Sequence, residues 1–258
     1  MSDEGVMGDE RLQRRATEAA GRVAGRLAGE GAVAVVLMGS FARGVGRTES
    51  DVDLVAIGDG APYRLEREEP FLVSVSWRSE AEVLREFERP ELVGTVVPGW
   101  REAVVLDDRD GAAARLKAAA EGWAWDSIVE EANRWASEQV VGHAEEVHKI
   151  ARTITAPTAE AAVLAPLLAF RMAKVVAVRR RMLYQSEREL PGMVSTEMGD
   201  EWRRAFEAAV GMNDERLRER MGWALEVYRM AAVEVGRVLD DRERAVVEHA
   251  VRLAETMD

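Results

Sequence analysis

Apolar residues recur at helical spacing through residues 9–29, with Leu12, Ala16, Ala19, Val23 and Leu27 on one side and Gly29 and Gly31 at the end. Residues 32–38 form a short continuous apolar run, the pattern of a buried strand. Residues 52–57 predict a second strand, stopped by Gly58 and Gly60. Residues 71–77 alternate apolar and polar, which predicts a third strand with one polar face. Ser79 opens a helix running to Arg89, with acidic residues in its first turn. Residues 103–106 predict a fourth strand before a turn at 107–111, and residues 111–121 return to helix.

From Trp123 the pattern is helical throughout, in segments near 124–154, 158–184, 199–211, 214–238 and 240–256. Pro157, the Pro191-Gly192 pair, residues 211–213 and the Asp240-Asp241 start separate them. The expected fold class is α+β: a small mixed-sheet domain with an N-terminal helix over residues 1–122, followed by an all-helical domain over 123–258.

Composition narrows the chemistry. The net charge of −12 disfavours a nucleic-acid footprint, which needs a basic stripe, and would attract a cationic small molecule. The chain has no cysteine, so disulfides, thiolate catalysis and cysteine metal sites are excluded. Residues 1–10 are acidic and polar, unlike a signal peptide, and no apolar run is expected to reach the roughly 20 residues of a membrane span. The expectation is a cytoplasmic protein with no membrane partner.

One run joins two kinds of chemistry. Gly39-Ser40-Phe41-Ala42-Arg43-Gly44 follows the first strand directly, and Ser50-Asp51-Val52-Asp53-Leu54 leads into the second. Glycine at 39 lets the backbone turn tightly and approach a ligand. Ser40 adds a hydroxyl and an amide to the turn, a helix starting there would favour anions, and Arg43 can make charge-assisted bonds to phosphate. Asp51 and Asp53, at i and i+2, are expected on one face, where crowded carboxylates repel unless a cation lies between them. Oxygen ligands of this kind favour Mg²⁺ shared with substrate phosphates.

Gly-Ser, ten intervening residues and then Asp-x-Asp resembles the signature of the DNA polymerase β-like nucleotidyltransferase superfamily. The two-part layout, with the cadence of residues 73–80 and 106–111, is similar to the kanamycin/aminoglycoside nucleotidyltransferase type. The resemblance implies Mg²⁺-dependent transfer of a nucleoside monophosphate from an NTP, with ATP the expected one, to a hydroxyl of a small acceptor. It implies that Gly39, Ser40 and Arg43 hold the triphosphate and that Asp51 and Asp53 bind metal. It implies a homodimer, with the helical domain binding acceptor. The family places a third carboxylate on a following strand; Ser74 aligns there, with Ser76 its same-face neighbour. The family's general base, a glutamate on a helix of the second domain, is matched most closely by Glu145, four residues before Lys149, with Glu146 next.

Other features have plainer readings. His143 and His148 are five apart, not the i,i+4 of a helical metal pair, and read as interface or surface residues. Arg244 and His249 resemble the Arg–His spacing of HEPN ribonucleases, a spacing that recurs in arginine-rich helices. Arg179-Arg180-Arg181 suits the C-terminal end of a helix. The competing function class is a nucleotide-binding or regulatory protein with a degenerate catalytic face at Ser74. A third is transfer to a protein hydroxyl, as in antitoxin-type minimal nucleotidyltransferases.

Overall fold

The computed structural model describes residues 3–255, with side chains described from Glu10 onward. Its described residues divide into two compact units, one of residues 3–88 and 95–127, the other of residues 89–94 and 128–255.

The first unit begins with α1 (Asp3–Gly29), β1 (Ala34–Met38) and the single turn α2 (Gly39–Ala42). It continues with β2 (Val52–Ile57), β3 (Tyr63–Glu68), β4 (Phe71–Arg78) and α3 (Glu80–Glu86). Most of α4 (Pro90–Glu102), then β5 (Val104–Asp108) and α5 (Ala112–Gly122), complete it. The sheet order is β3-β4-β2-β1-β5; β2 and β4 run parallel and the other neighbours antiparallel, so the sheet is mixed. The fold is α+β, as the hydrophobic pattern predicts.

The periodicities explain the packing. Ala16, Ala19, Ala20, Val23, Ala24 and Leu27 of α1 share one core with Val35, Leu37, Leu54, Ala56, Val73 and Val75 of the central strands. Small alanines let the helix lie close to the sheet, and each buried Val or Leu contributes about 1.5–3 kcal/mol. Because strand side chains alternate, Asp53, Ser74 and Ser76 lie on the opposite face of the sheet, only partly covered. At α3 the predicted start is built as a capping box: the Ser79 hydroxyl accepts from the Glu82 amide at 3.2 Å, and the Ser79 amide donates to the Glu82 carboxylate at 2.6 Å.

Two elements of this unit depart from the sequence reading. Strand β3, Tyr-Arg-Leu-Glu-Arg-Glu, has too little apolar content to register as a strand, yet pairs with β4 along its whole length. Charge holds its inner face to α1: Arg26 binds Glu66 at 2.8 Å and Glu68 at 3.1 Å, Arg22 binds Glu68 at 2.8 Å, and Arg64 binds Glu30 at 2.8 Å. Helix α4 contains Pro98, Gly94 and Gly99, residues that mask a helical pattern.

The second unit is helical. A short 3₁₀ turn (Trp125–Ile128, divided between the units at its end) precedes α6 (Val129–Gly142), α7 (Ala144–Thr153) and α8 (Ala159–Arg179). After these come α9 (Leu190–Met198), α10 (Asp200–Val210), α11 (Leu217–Val235) and α12 (Asp241–Glu255). The helix expected over 124–154 is broken at His143, whose Nδ1 lies 2.6 Å from the Gln139 carbonyl and whose Nε2 lies 3.1 Å from Arg171. Pro191, expected to mark a break, instead sits in the first turn of α9, where its missing N–H costs no bond. Helix α8, contrary to the expectation for the chain's apolar runs, is long and apolar enough to cross a membrane. Its Leu168, Met172, Val175 and Val176 belong to the helical core, and 56% of its most apolar window is buried.

Candidate active site

The site grows from the end of β1. Met38 leads into α2 with no side-chain cap, and Gly39 has φ +67, a conformation that favours glycine. Phe41 is buried at 1% exposure and meets Phe71 edge-on, ring centroids 5.6 Å apart. A side chain at Gly46 would strike its ring. From α1, the Gln13 amide donates to the Phe41 carbonyl at 2.5 Å. Phe41 thus anchors the turn inward, while Ser40 and Arg43 stay half-buried at its outer side.

Asp53 lies on β2 opposite Met38 on one side and Ser74 on the other. Its carboxylate reaches the turn: a Cβ built on Gly39 would overlap Asp53 Oδ2. The Gly39 turn and the Asp53 carboxylate therefore lie side by side, which the spacing of the motif suggests but does not require. The other oxygen, Oδ1, accepts a hydrogen bond from the Ser74 hydroxyl at 2.7 Å. The alignment of Ser74 with the expected third carboxylate thus places a donor, not an acid, beside Asp53. Asp51 is exposed immediately before β2.

Arg43 closes the turn. Its backbone amide bonds to the Gly39 carbonyl at 3.3 Å, and its Nε lies 3.4 Å from the same oxygen and 3.9 Å from Glu102 of α4. The side chain is 22% exposed, so a phosphate would compete with Glu102 for it. Glu102 and Gln13 carry no motif of their own, and Phe41, though inside the motif, shows its anchoring role only in the fold; the docking of α1 and α4 reveals all three.

The remaining candidates lie in the helical unit. Glu145 on α7 is 75% exposed and paired to Lys149 at 3.1 Å, which raises the lysine's pKa. Glu146 is mostly covered, and Arg171 stands 3.7 Å from it. Arg244 donates to the Gly236 and Leu239 carbonyls at 3.0 and 3.1 Å, joining the end of α11 to α12, while His249 is exposed. Arg179 bonds Asn133 and the Glu234 carbonyl, and Arg180 binds Glu234 at 2.7 Å and Glu197 at 3.3 Å. These arginines act as helix-end connectors.

The site's chemistry follows from these groups. Asp51 and Asp53 are acceptors that can ligate a hard cation, and Mg²⁺ characteristically takes one or two protein carboxylates plus substrate phosphates. Among the described residues no group of three His, Cys, Asp or Glu side chains is disposed to hold a metal. The donor set fits an ion shared with a triphosphate better than a closed protein cage.

No curated protein matches the chain. In fold it is similar to a nucleotidyltransferase-like protein from Exiguobacterium sibiricum 255-15, at TM-score 0.54 and 13% identity, covering 93% of this chain and 89% of that one. That likeness is one of fold. Residues 24–98, which run from the end of α1 through Gly39, Asp53 and Ser74 into α4, match the family model of the nucleotidyltransferase domain. The matched segment, which holds the Gly39 turn, Asp53 and Ser74, is thus similar in sequence to a nucleotidyltransferase domain.

Proposed function

We propose that this chain uses Mg²⁺ and an NTP, ATP foremost, to transfer a nucleoside monophosphate to a hydroxyl of a small acceptor, the new bond forming at the α-phosphorus as the α–β phosphoanhydride breaks and pyrophosphate leaves. The observation that carries this reading is the nearness of the Gly39 turn to the Asp53 carboxylate, which sets a glycine turn open to phosphate beside a carboxylate able to take a cation. In this reading Gly39 and Ser40 offer backbone and hydroxyl groups to the triphosphate, and Arg43 leaves Glu102 to neutralise it. Asp51 and Asp53 hold the cation. Bound there, the metal would lower the charge of the triphosphate and favour ionisation of the attacking hydroxyl. Glu145, an exposed carboxylate, is the proposed proton acceptor once Lys149 swings aside, with the better-covered Glu146 as its substitute. An aminoglycoside-like, cationic acceptor and a homodimeric enzyme are the finer parts of this proposal, and the net charge of −12 favours the cation.

A second reading is favoured by Ser74. With a hydroxyl where a third carboxylate would assist the acceptor, the domain would bind the metal–nucleotide and regulate without efficient turnover. One experiment separates the two: labelled ATP and Mg²⁺ with a panel of aminoglycosides and proteins, using D51N/D53N as control. The transferase reading expects label on an acceptor, lost in the double variant. Transfer that survives D51N/D53N would overturn the site assignment; tight NTP binding with no labelled acceptor would favour the regulatory reading.

A further inference from the structure

The helical unit carries a polar cleft, of about 830 Å³, lined by α10, α11 and Ile154 at the end of α7. That volume is within the about 300–1,000 Å³ range of small-molecule sites. In an acidic chain its lining is arginine-rich: Arg204 comes from α10, and Arg216, Arg218 and Arg229 come from α11 and its cap. Of the three glutamates in the lining, Glu226 binds Arg229 at 2.7 Å, and Glu219 accepts the Arg216 amide at 3.0 Å. Glu201 is the third, on α10. The side chains of Arg204 and Arg218 are exposed and make no hydrogen bond or ion pair to any described residue.

The rest of the lining is suited to a ring. Trp223 supplies a half-buried aromatic surface, and next to it Gly222 leaves open space where a side chain would stand. Guanidinium groups pair with phosphate through parallel N–H bonds, and an aromatic side chain takes the flat face of a base. Two cations without carboxylate partners, an aromatic surface and an unfilled glycine wall converge on one ligand chemistry. We propose that this cleft binds a small phosphorylated aromatic molecule of nucleoside-monophosphate size, independently of the Asp51/Asp53 site.

The test is calorimetric titration of the full chain with AMP, adenosine and inorganic phosphate, in the presence of EDTA. AMP is expected to bind saturably, and adenosine and phosphate each at least about tenfold more weakly, since each offers half of the recognised chemistry. R204A/R218A should weaken AMP binding by about tenfold or more, and D51N/D53N should leave it unchanged. Neither arginine has a structural partner, so the double variant should melt with the parent chain. G222L blocks the cleft by a second route: its new Cβ meets nothing within 4 Å and its helical backbone accepts any residue, so the fold should persist while AMP binding is lost. Absence of AMP binding in EDTA, binding indifferent to both cleft variants, or binding abolished by D51N/D53N would each overturn the proposal. The last result would assign the nucleotide to the first unit instead. Failure of the transferase assay leaves this titration unaffected.

Discussion

Gly39 holds two constraints at once: a left-handed backbone and the nearness of Asp53 Oδ2. We expect G39A to lose about 1–3 kcal/mol, from backbone strain and displacement of Asp53, read by denaturant unfolding. NTP binding should fall with it, whereas an alanine at exposed Gly44, which also has φ above zero but meets nothing, should cost stability alone. Ser74 supports a prediction that metal should reverse. S74D sets two carboxylates directly across the parallel β2–β4 pair, where like charges repel. Its melting temperature without metal should drop, and added Mg²⁺ or Mn²⁺ should raise it by more than in the parent chain. An equal metal response in both would argue that Ser74 does not occupy the third-ligand position. Gly39, Asp51 and Asp53 are legible in the chain because tight turns and paired carboxylates demand particular residue types. Gln13, and the anchoring role of Phe41 within the motif, are not, because an amide and an aromatic are common everywhere and acquire such a role only when α1 meets the turn.

Strand β3 shows how an element can exist without its own hydrophobic signal. Its inner face is Arg64, Glu66 and Glu68, and its stability is borrowed from β4 and from the arginines of α1. R26A removes the side chain that bridges Glu66 and Glu68, so amide protection should fall along β3 while β1 and β2 keep theirs. Acid should have the same effect. Hydrogen bonds from Arg22 and Arg26 lower the Glu68 pKa, and those from Arg64 lower the Glu30 pKa. A carboxylate with a depressed folded pKa stabilises fully above its ordinary value, 4.5 here, and loses that contribution as pH falls through the folded value. Exchange at β3, corrected for intrinsic rate, should therefore accelerate below about pH 4.5 before the core strands respond. The elements the hydrophobic pattern predicts best, α1, β2, β4 and α8, are those that bury a full face. The ones it misses, β3, α4 and α9, are shaped by partners or contain proline.

Across the full chain, alkaline pH should act chiefly on the helical unit. Burial pushes Tyr184 up to about 12, with Glu187 adding to the shift, and burial raises Tyr228 as well. The Tyr228 hydroxyl donates to the Val140 carbonyl at 2.9 Å, linking α11 to α6. Unfolded phenols release their protons from about pH 10, while the folded state retains them, so stability should be level below that pH and decline above it. Y184F and Y228F should each flatten the decline in denaturant midpoint between pH 9 and 11 (about one unit either side of a free phenol). Y228F should also cost about 1 kcal/mol at neutral pH for its lost hydrogen bond. An unchanged slope in both variants would show that neither phenol is buried as described.

Read alone, the chain specifies its α+β order, its strand–turn–strand motif and the acids that follow, because those depend on residues within a few positions of one another. Backbone sterics demand glycine at 39, and period-two and period-3.6 burial mark the strands and helices. The fold decided the rest: that Asp53 touches Gly39, that Ser74 rather than an acid stands beside it, and that Arg204 joins Arg216 and Arg218 around Trp223. Those pairings join residues 14, 21 and at least 12 positions apart in sequence. Such distances are closed by the burial of shared cores, which no local pattern encodes.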